Sequence, residues 1–219
     1  MAVHKAGPTP LPPSRFDFDP SDWPDDDCVV AGADLHPSTI VDAYRHGAFP
    51  MPQAGRLLWW SPMRRGVLEP GSLQVTRSMR RSARRSHVTV DTAFEEVIDA
   101  CADPSRPGGW IDADIRAAYV ELHRLGWAHS VETRDGDGRL VGGVYGIGIG
   151  HLFAGESMFH RERDASKVAL MGLVDHVGDD VLIDVQWKTP HLASLGVIEW
   201  PRARYLDALP GLVDTPSPW

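Results

Sequence analysis

The sequence is poor in cysteine. Its 219 residues include two, Cys28 and Cys101, which lie far apart and form no CxxC pair. A chain of this length buries roughly 70% of the surface that its unfolded form exposes, so its core does not need disulfides. The scarcity of cysteine argues against a disulfide-stapled scaffold, and it predicts a reduced, cytoplasmic setting.

Long apolar runs are also missing. No stretch approaches the ~20 apolar residues that a membrane-spanning helix requires. The first residues, MAVHKAGPTPLPPS, are polar and proline-rich, and they lack the basic and then apolar pattern of a secretion signal. We therefore expect a protein with no membrane partner.

Several catalytic signatures are absent. The ten histidines form no HExxH motif and no pair at zinc-ligand spacing around a cysteine, so no metal site is predicted. The sequence has no G-x-S-x-G motif of the kind that serine hydrolases use. The glycine-rich stretch 143–150 lacks G-x-G-x-x-G and lies between predicted strands. We expect its glycines to let a ligand approach the sheet, and not to bind a dinucleotide.

Lysine is scarce, and charge is unevenly distributed. The net charge is −8, yet only three of the 22 cationic residues are lysines. Aspartates crowd residues 17–34, a segment whose role the pattern does not reveal, and arginines crowd residues 63–87. Guanidinium groups suit bidentate phosphate contacts. The arginine-rich segment therefore predicts local binding of a polyanion, with a solvated helix face as an equally good alternative.

Changes in composition along the chain predict four parts. Residues 1–14 have the character of a disordered tail. Residues 15–62 form a small N-terminal domain that ends in a proline- and aromatic-rich connector. Residues 63–209 form the main domain, and residues 210–219 form a C-terminal tail.

Helical and strand-like patterns alternate along the chain. The expected helices are one from Pro37 to Gly47, one begun by a Thr92/Glu95 capping box, one from residue 115 closed by Gly126, and one over 168–177. The expected strands are 129–133 and 140–145, which form a hairpin, followed by 151–154 and 181–186. In the main domain, two helices, a β-meander, a third helix and a strand predict an α+β fold.

Three polar residues stand in apolar surroundings. Glu156 follows a glycine-rich strand end among aromatic and apolar neighbours, so it is expected to have a partner or a function. Asp184 and Gln186 alternate with Ile183 and Val185, which predicts that the acid and the amide share one face of a strand. Such a pair suits proton transfer or amine binding. An edge strand with a polar, solvent-facing side is the alternative.

Many short strings occur in order across about residues 30–207. They include YRHGAFP (44–50), LWWSP (58–62), SMRR (78–81), GWI (109–111), GGVYG (142–146), GESMF (155–159), LIDVQ (182–186) and HLASLG (191–196). Together they resemble the leucyl/phenylalanyl-tRNA–protein transferase family. One such string would be a weak signal, whereas the whole ordered set is specific.

The resemblance implies a small N-terminal domain joined to a larger acyl-CoA N-acyltransferase-like (GNAT-like) domain. It also implies a reaction in which the α-amine of a protein with N-terminal Arg or Lys attacks the ester of a tRNA charged with Leu or Phe. Met is a further candidate donor. The new N-terminal residue would mark the acceptor for degradation through the N-degron pathway. No cofactor is implied, because the ester is already activated, and a monomer is the default expectation.

By the same resemblance, Asp184, Gln186 and Glu156 form the catalytic centre. We expect Asp184 to draw the proton from the amine, Gln186 to position the amine, and Glu156 to hold the cationic acceptor residue. An α-amine has a pKa of ~8, so only modest base assistance is required. In the alternative, all three groups position the substrates, and proximity supplies most of the rate acceleration.

The resemblance also implies a pocket for the donor side chain. The residues at the matching positions are all apolar, as burial of Leu or Phe requires, and they are Val144, Phe153, Leu170 and Leu173. The family has an aromatic residue where Leu173 stands. We therefore expect a pocket of different shape and a shifted preference between Leu and Phe.

The tRNA itself is expected to contact two further sets of residues. The terminal adenosine would stack on Trp110, a contact typically worth ~1–3 kcal/mol per base. Met51 stands where the family has a second tryptophan, which predicts weaker tRNA binding. Contacts to backbone phosphates are expected from Arg77, Arg80, Arg81, Arg84 and Arg85.

Two alternatives stay open. A related acyltransferase of the same fold would use acetyl-CoA, which requires a pyrophosphate loop, or would build cell-wall peptides, which requires two copies of the fold. Neither feature is found in the sequence. A non-catalytic module that binds tRNA or degrons would be expected to lack one of Asp184, Gln186 and Glu156, and all three are present.

Overall fold

The computed structural model describes residues 7–106 and 109–219. In chain order its elements are β1 (Cys28–Ala31), α1 (Pro37–Arg45), β2 (Phe49–Pro50), β3 (Leu58–Trp60), β4 (Arg64–Leu68), α2 (Arg77–Ala83), β5 (His87–Val90), α3 (Phe94–Cys101), α4 (Ala113–Arg124), β6 (Ala128–Arg134), β7 (Leu140–Ile149), β8 (Leu152–His160), α5 (Ala165–Val177), β9 (Leu182–Gln186), α6 (Pro190–Ala193), β10 (Ile198–Pro201) and α7 (Arg202–Val213). This mixture confirms the predicted α+β class. No helix in the described ranges has the length and apolar character needed to cross a membrane.

Two sheets organise the chain. β1, β3 and β2 form a small antiparallel sheet in that order. The large sheet has the order β10-β4-β9-β8-β7-β6-β5, in which β8 and β9 run parallel and are connected by α5. The predicted boundary after residue 62 falls between β3 and β4, where the chain passes from one sheet to the other. Trp59 of the small sheet and Tyr145 of the large one belong to the same buried cluster.

Local sequence signals place several elements correctly. α1 begins at Pro37, whose fixed φ suits the first helical position, and the chain leaves this helix at Gly47 with a φ of +91°. α4 buries Tyr119 and Leu122 and is followed by Gly126 with a φ of +80°. β6 and β7 form the predicted hairpin. These predictions are confirmed, as are the helix and strand expected over α5 and β9.

The predicted capping box at Thr92 is wrong. The residue before α3 is Ala93, which has no side-chain cap, and Thr92 Oγ1 donates instead to Glu132 Oε2 at 2.8 Å. The buried Glu132 carboxylate also accepts from the backbone N–H groups of Thr92 and Ala93, each at 3.4 Å. A residue of β6 therefore satisfies donors at the start of α3, in place of the expected local partner.

The predicted N-terminal tail is ordered where the structure describes it. The backbone N–H of Thr9 donates to the Leu125 carbonyl at 2.8 Å, and the Thr9 carbonyl accepts from Trp127 Nε1 at 2.9 Å. These contacts do not support disorder for residues 7–14, and the rest of the predicted tail, residues 1–6, lies outside the described ranges.

The predicted C-terminal tail packs against the glycine-rich strand. α7 continues to Val213, past the expected boundary at residue 209, and Trp219 is only 8% exposed. A Cβ on Gly148 would lie 2.5 Å from Trp219 Nε1, and one on Gly150 would collide with the Leu212 carbonyl. The expectation that these glycines admit a ligand is therefore corrected at both positions, because they admit the chain's own C-terminal segment.

Candidate active site

One cavity of about 260 Å³ lies between the large sheet and α5. Val144 of β7 and Phe153 of β8 line it from the sheet, and Leu170 and Leu173 line it from α5, three residues apart on one helix face. All four predicted donor-pocket residues therefore meet in the same cavity. Further apolar lining comes from Leu68, Met158, Ile183, Val185, Leu192 and Val197.

Polar groups also line this cavity. Glu156 of β8 and Gln186 of β9 both line it, together with Arg106, Ser157, Thr189 and His191. Gln186 Nε2 donates to Glu156 Oε1 at 3.5 Å. The cavity thus combines an apolar lining with a carboxylate and an amide, which is the usual composition of a site that binds and orients a small group.

Glu156 is held by two tyrosines, Tyr44 and Tyr119, for which the sequence predicts no site role. Tyr44 of α1 donates to Glu156 Oε1 at 2.5 Å, and Tyr119 of α4 donates to Glu156 Oε2 at 3.1 Å. The two hydroxyls are 2.8 Å apart. Tyr119 lies in none of the family strings, and the sequence pattern places it among the apolar positions of an amphipathic helix.

The environment of Glu156 disfavours its charged form. Burial raises the pKa of Glu156 to about 8, although the two tyrosine hydrogen bonds act in the opposite direction. Burial also raises the pKa values of Tyr44 and Tyr119 well above their usual range, so both phenols stay protonated donors near neutral pH. Glu156 is therefore a carboxyl group that changes charge within the physiological range and that faces the cavity.

Asp184 has a different environment. It is fully buried and is not among the residues that line the cavity. Its carboxylate accepts from Arg65 Nε at 2.8 Å and Nη2 at 2.5 Å, from the Tyr205 hydroxyl at 3.0 Å, and from the Gln186 backbone N–H at 2.9 Å. This geometry does not support the expectation that Asp184 itself draws a proton from the substrate amine.

A β-bulge explains why Gln186 reaches the cavity and Asp184 does not. Strict alternation predicts the two on one strand face, but Ile183, Val185 and Gln186 line the cavity and Asp184 does not. In the pairing of β9 with β4, Val67 faces Asp184 and Gly66 faces Gln186, so one residue is extra on β9. Gln186 also has a φ of +56°. Such a bulge redirects a side chain, and the shared-face prediction is corrected for this reason.

Arg65 differs most from what the sequence predicts. It belongs to the arginine-rich segment, yet its side chain is 1% exposed and pairs with Asp184. Its Nη1 donates to the Gly47 carbonyl at 2.8 Å, and its guanidinium lies 5.0 Å from the Phe49 ring and 4.4 Å from the Tyr205 ring. The following run Gly66-Val67-Leu68 was the available signal, since it makes Arg65 part of an apolar strand.

The two residues predicted to contact adenosine are not brought together in one pocket. Trp110 lines a second, open cavity of about 960 Å³ between α4 and the loop after β2. Met51 is not among the residues that line it, although Pro52 is. The Met51 carbonyl accepts from Trp60 Nε1 at 2.9 Å. Both assignments stay predictions.

The five arginines predicted to meet tRNA phosphates lie on and just after α2. All five side chains are exposed, namely those of Arg77, Arg80, Arg81, Arg84 and Arg85. Within residues 7–106 and 109–219, no carboxylate lies within ion-pair distance of their guanidinium groups. They form an uncompensated cationic surface, and phosphate binding stays a prediction.

Comparisons with known proteins identify the family. The family model described as leucyl/phenylalanyl-tRNA protein transferase matches residues 67–210, and that of its N-terminal domain matches residues 33–63. Leucyl/phenylalanyl-tRNA–protein transferases are similar to this chain in Aromatoleum aromaticum (51% identity over 84% of this chain and 80% of that protein), Pseudomonas entomophila (50%, 86% and 86%) and Xanthomonas oryzae (44%, 96% and 86%). The chain belongs to the leucyl/phenylalanyl-tRNA–protein transferase family.

Solved structures add little. L-PGS from Bacillus licheniformis aligns with 70% of this chain and 54% of its own, at 10% identity and a TM-score of 0.36. A conserved protein of unknown function from Bacteroides thetaiotaomicron reaches a TM-score of 0.40 at 11% identity, over 60% of this chain and 53% of its own. Both scores are too low to establish a shared fold.

Proposed function

We propose that this protein transfers leucine or phenylalanine from a charged tRNA to the α-amine of an acceptor protein that begins with Arg or Lys. One observation carries the proposal: Val144, Phe153, Leu170 and Leu173 line the same cavity as Glu156 and Gln186. An apolar slot for the donor side chain therefore adjoins polar groups suited to an amine. Relatives at about 50% identity bear the name of this activity.

The chemistry needs little beyond placement of the two substrates. The neutral amine attacks the ester carbonyl, a C–N bond forms, and the C–O bond to the terminal ribose breaks. The amine loses a proton, and the departing ribose oxygen gains one. An α-amine with a pKa of ~8 is partly neutral near pH 7, so holding it against the ester supplies most of the acceleration in this account.

Glu156 is the group we assign to the acceptor's cationic residue. It lines the cavity and is paired with neutral donors, namely Tyr44, Tyr119 and the Gln186 amide. Since its pKa is about 8 in the free protein, a bound guanidinium or ammonium group would favour its charged form. Acceptor binding should therefore strengthen as the pH rises through this range.

Asp184 acts through Gln186 in this proposal. Its hydrogen bond to the Gln186 backbone fixes the end of β9, and Arg65 holds Asp184 in turn. Asp184 and Arg65 are thus positioning residues, while Gln186 would contact the amine. This version retains the alternative in which no side chain acts as a strong base.

The tRNA side of the proposal rests on the sequence resemblance and on exposure. Trp110 would stack on the terminal adenosine, Met51 would pack near it, and the arginines on and after α2 would contact backbone phosphates. Charged tRNA is a cytoplasmic substrate, which supports a cytoplasmic site of action. We further propose a GNAT-like fold for residues 63–209, and a monomer that marks acceptors for N-degron degradation.

Label transfer from radiolabelled leucyl-tRNA tests the activity. The acceptors are a peptide with N-terminal Arg and a matched peptide with N-terminal Ala, with no ATP or coenzyme A present. We expect the Arg peptide alone to be labelled. Binding of the tRNA without transfer to either peptide would contradict the proposal and would favour a non-catalytic module.

A further inference from the structure

Trp219 lies directly behind one wall of the cavity of about 260 Å³ between the large sheet and α5, which we call the donor cavity. Its ring centroid is 5.4 Å from that of Phe153, with an interplanar angle of 31°. Phe153 is fully buried and lines the cavity, whereas Trp219 does not line it. The phenyl ring therefore separates the donor cavity from the indole, and both belong to the buried cluster that contains all four donor-pocket residues.

The indole is fixed from its other sides. Its ring stacks on His129 at 4.1 Å and 11°, and His129 Nδ1 is 2.9 Å from Asp91 Oδ2. Gly148 provides the space for the indole, because a Cβ there would lie 2.5 Å from Nε1. The chain that leads to Trp219 is anchored as well, since the His151 N–H donates to the Leu212 carbonyl at 2.9 Å.

We propose that Trp219 is a specificity-determining residue, which sets the depth of the donor cavity by supporting Phe153 from behind. The inference rests on the proposed transfer of Leu or Phe. A close-packed wall cannot retract while a large rigid ring fills the space behind it. Removal of the indole would leave a void into which Phe153 can move, and the cavity would become deeper. Trp219 lies outside residues 67–210, which the family model matches.

The direction of the effect follows from donor size. A deeper cavity favours the larger phenylalanyl side chain and leaves the leucyl side chain less well packed. One extra or missing methylene in an apolar pocket commonly changes kcat/KM about 10- to 200-fold, and Phe and Leu differ by more than this. Trp219→Ala should therefore raise the ratio of kcat/KM for phenylalanyl-tRNA over leucyl-tRNA by roughly tenfold.

The test measures both donors against one Arg peptide with wild type, Trp219→Ala, Trp219→Leu and Trp219→Phe. Trp200→Ala is the matched control, because Trp200 is also 8% exposed but lies in β10 and in the other buried cluster. We expect Trp219→Leu to shift the ratio less than Trp219→Ala does. Trp219→Phe should restore it towards wild type, and Trp200→Ala should change it less than about twofold.

Three results would overturn the inference. Trp219→Ala and Trp219→Leu could each lower both donors equally, which would make Trp219 merely structural. Trp200→Ala could shift the ratio as far as Trp219→Ala does, which would assign the effect to general destabilisation. If wild type uses neither donor, the proposed function fails along with the inference, and this outcome is distinct from an active enzyme with an unchanged ratio.

Discussion

Two carboxylates on the neighbouring strands β8 and β9 have opposite surroundings. Asp184 is fully buried and faces a guanidinium group, and every partner that it has is part of the fold. Glu156 lines the cavity, and its hydrogen-bond donors among the described residues are neutral groups, namely two tyrosine hydroxyls and an amide. In the proposed account, the charge of the partner, rather than burial alone, separates the acid that is held by the fold from the acid that would receive a cation.

Among the variants of the two sites, removal of the buried Arg65 cation beside Asp184 should have the largest effect on stability. Arg65→Met leaves the Asp184 carboxylate buried without a counter-charge, and we expect a loss of about 3–5 kcal/mol in the free energy of unfolding. Urea denaturation measures this loss. Arg64→Met is the control, because Arg64 is 77% exposed in its ion pair with Glu199, and it should cost less than about 1 kcal/mol.

Equal costs for the two arginine variants would break the comparison. Arg65→Met combined with Asp184→Asn sharpens it, because the double variant removes the unpaired charge. We expect it to regain part of the stability lost in the single variant. A double variant less stable than Arg65→Met would contradict the assignment of Asp184 as the anion that Arg65 neutralises.

The raised pKa of Glu156 should make the stability of the protein depend on pH. Its pKa is about 8 in the folded protein against an ordinary value of 4.5, so folding takes up a proton between these pH values. The contribution of Glu156 to stability is present below about pH 4.5 and is lost as the pH rises through about 8. Relative to Glu156→Gln, wild type should therefore become steadily less stable across this window, as urea unfolding at several pH values would detect. A constant difference would contradict the raised pKa.

Single hydroxyl deletions should give the smallest effects and should differ between the two sites. Tyr205→Phe removes one of several donors to Asp184 and should cost about 1.5 kcal/mol of stability. Tyr44→Phe removes a bond that favours charged Glu156, so it should raise the Glu156 pKa further. Two measurements distinguish these variants. The free energy of unfolding should fall in Tyr205→Phe, and the pH midpoint of acceptor selectivity should move to higher pH in Tyr44→Phe. An alkaline shift of that midpoint in Tyr205→Phe, and not in Tyr44→Phe, would reverse the assignment.

Features encoded by neighbouring residues could be predicted from the sequence. α1, α4 and the β6–β7 hairpin carry their own start and stop signals, and the donor-pocket residues lie on elements with clear periodicity. The family strings identified Glu156, Asp184 and Gln186 as a group. Their separate environments could not be read, because a strand pattern does not contain the bulge that turns Gln186 towards the cavity.

Features that depend on distant residues were missed. Arg65 meets a partner 119 positions away, and Thr92 bonds Glu132, 40 positions away, in preference to a local cap. Gly148 must lack a Cβ to leave room for Trp219, and no rule of sequence spacing connects these two residues. Each error has the same physical origin: a tertiary contact replaced the local interaction that the pattern suggested.

The most direct test compares two acceptor peptides that differ only in charge, one with N-terminal Arg and one with its neutral isostere citrulline. The ratio of their kcat/KM values cancels the pKa of the α-amine and any loss of folded enzyme. We predict that wild type favours Arg by about 10- to 100-fold, more strongly as the pH rises, since charged hydrogen bonds contribute about 1.5–3 kcal/mol. Glu156→Gln should bring the ratio close to one, and Asp184→Asn should preserve it. Preservation in Glu156→Gln with loss in Asp184→Asn would contradict the account.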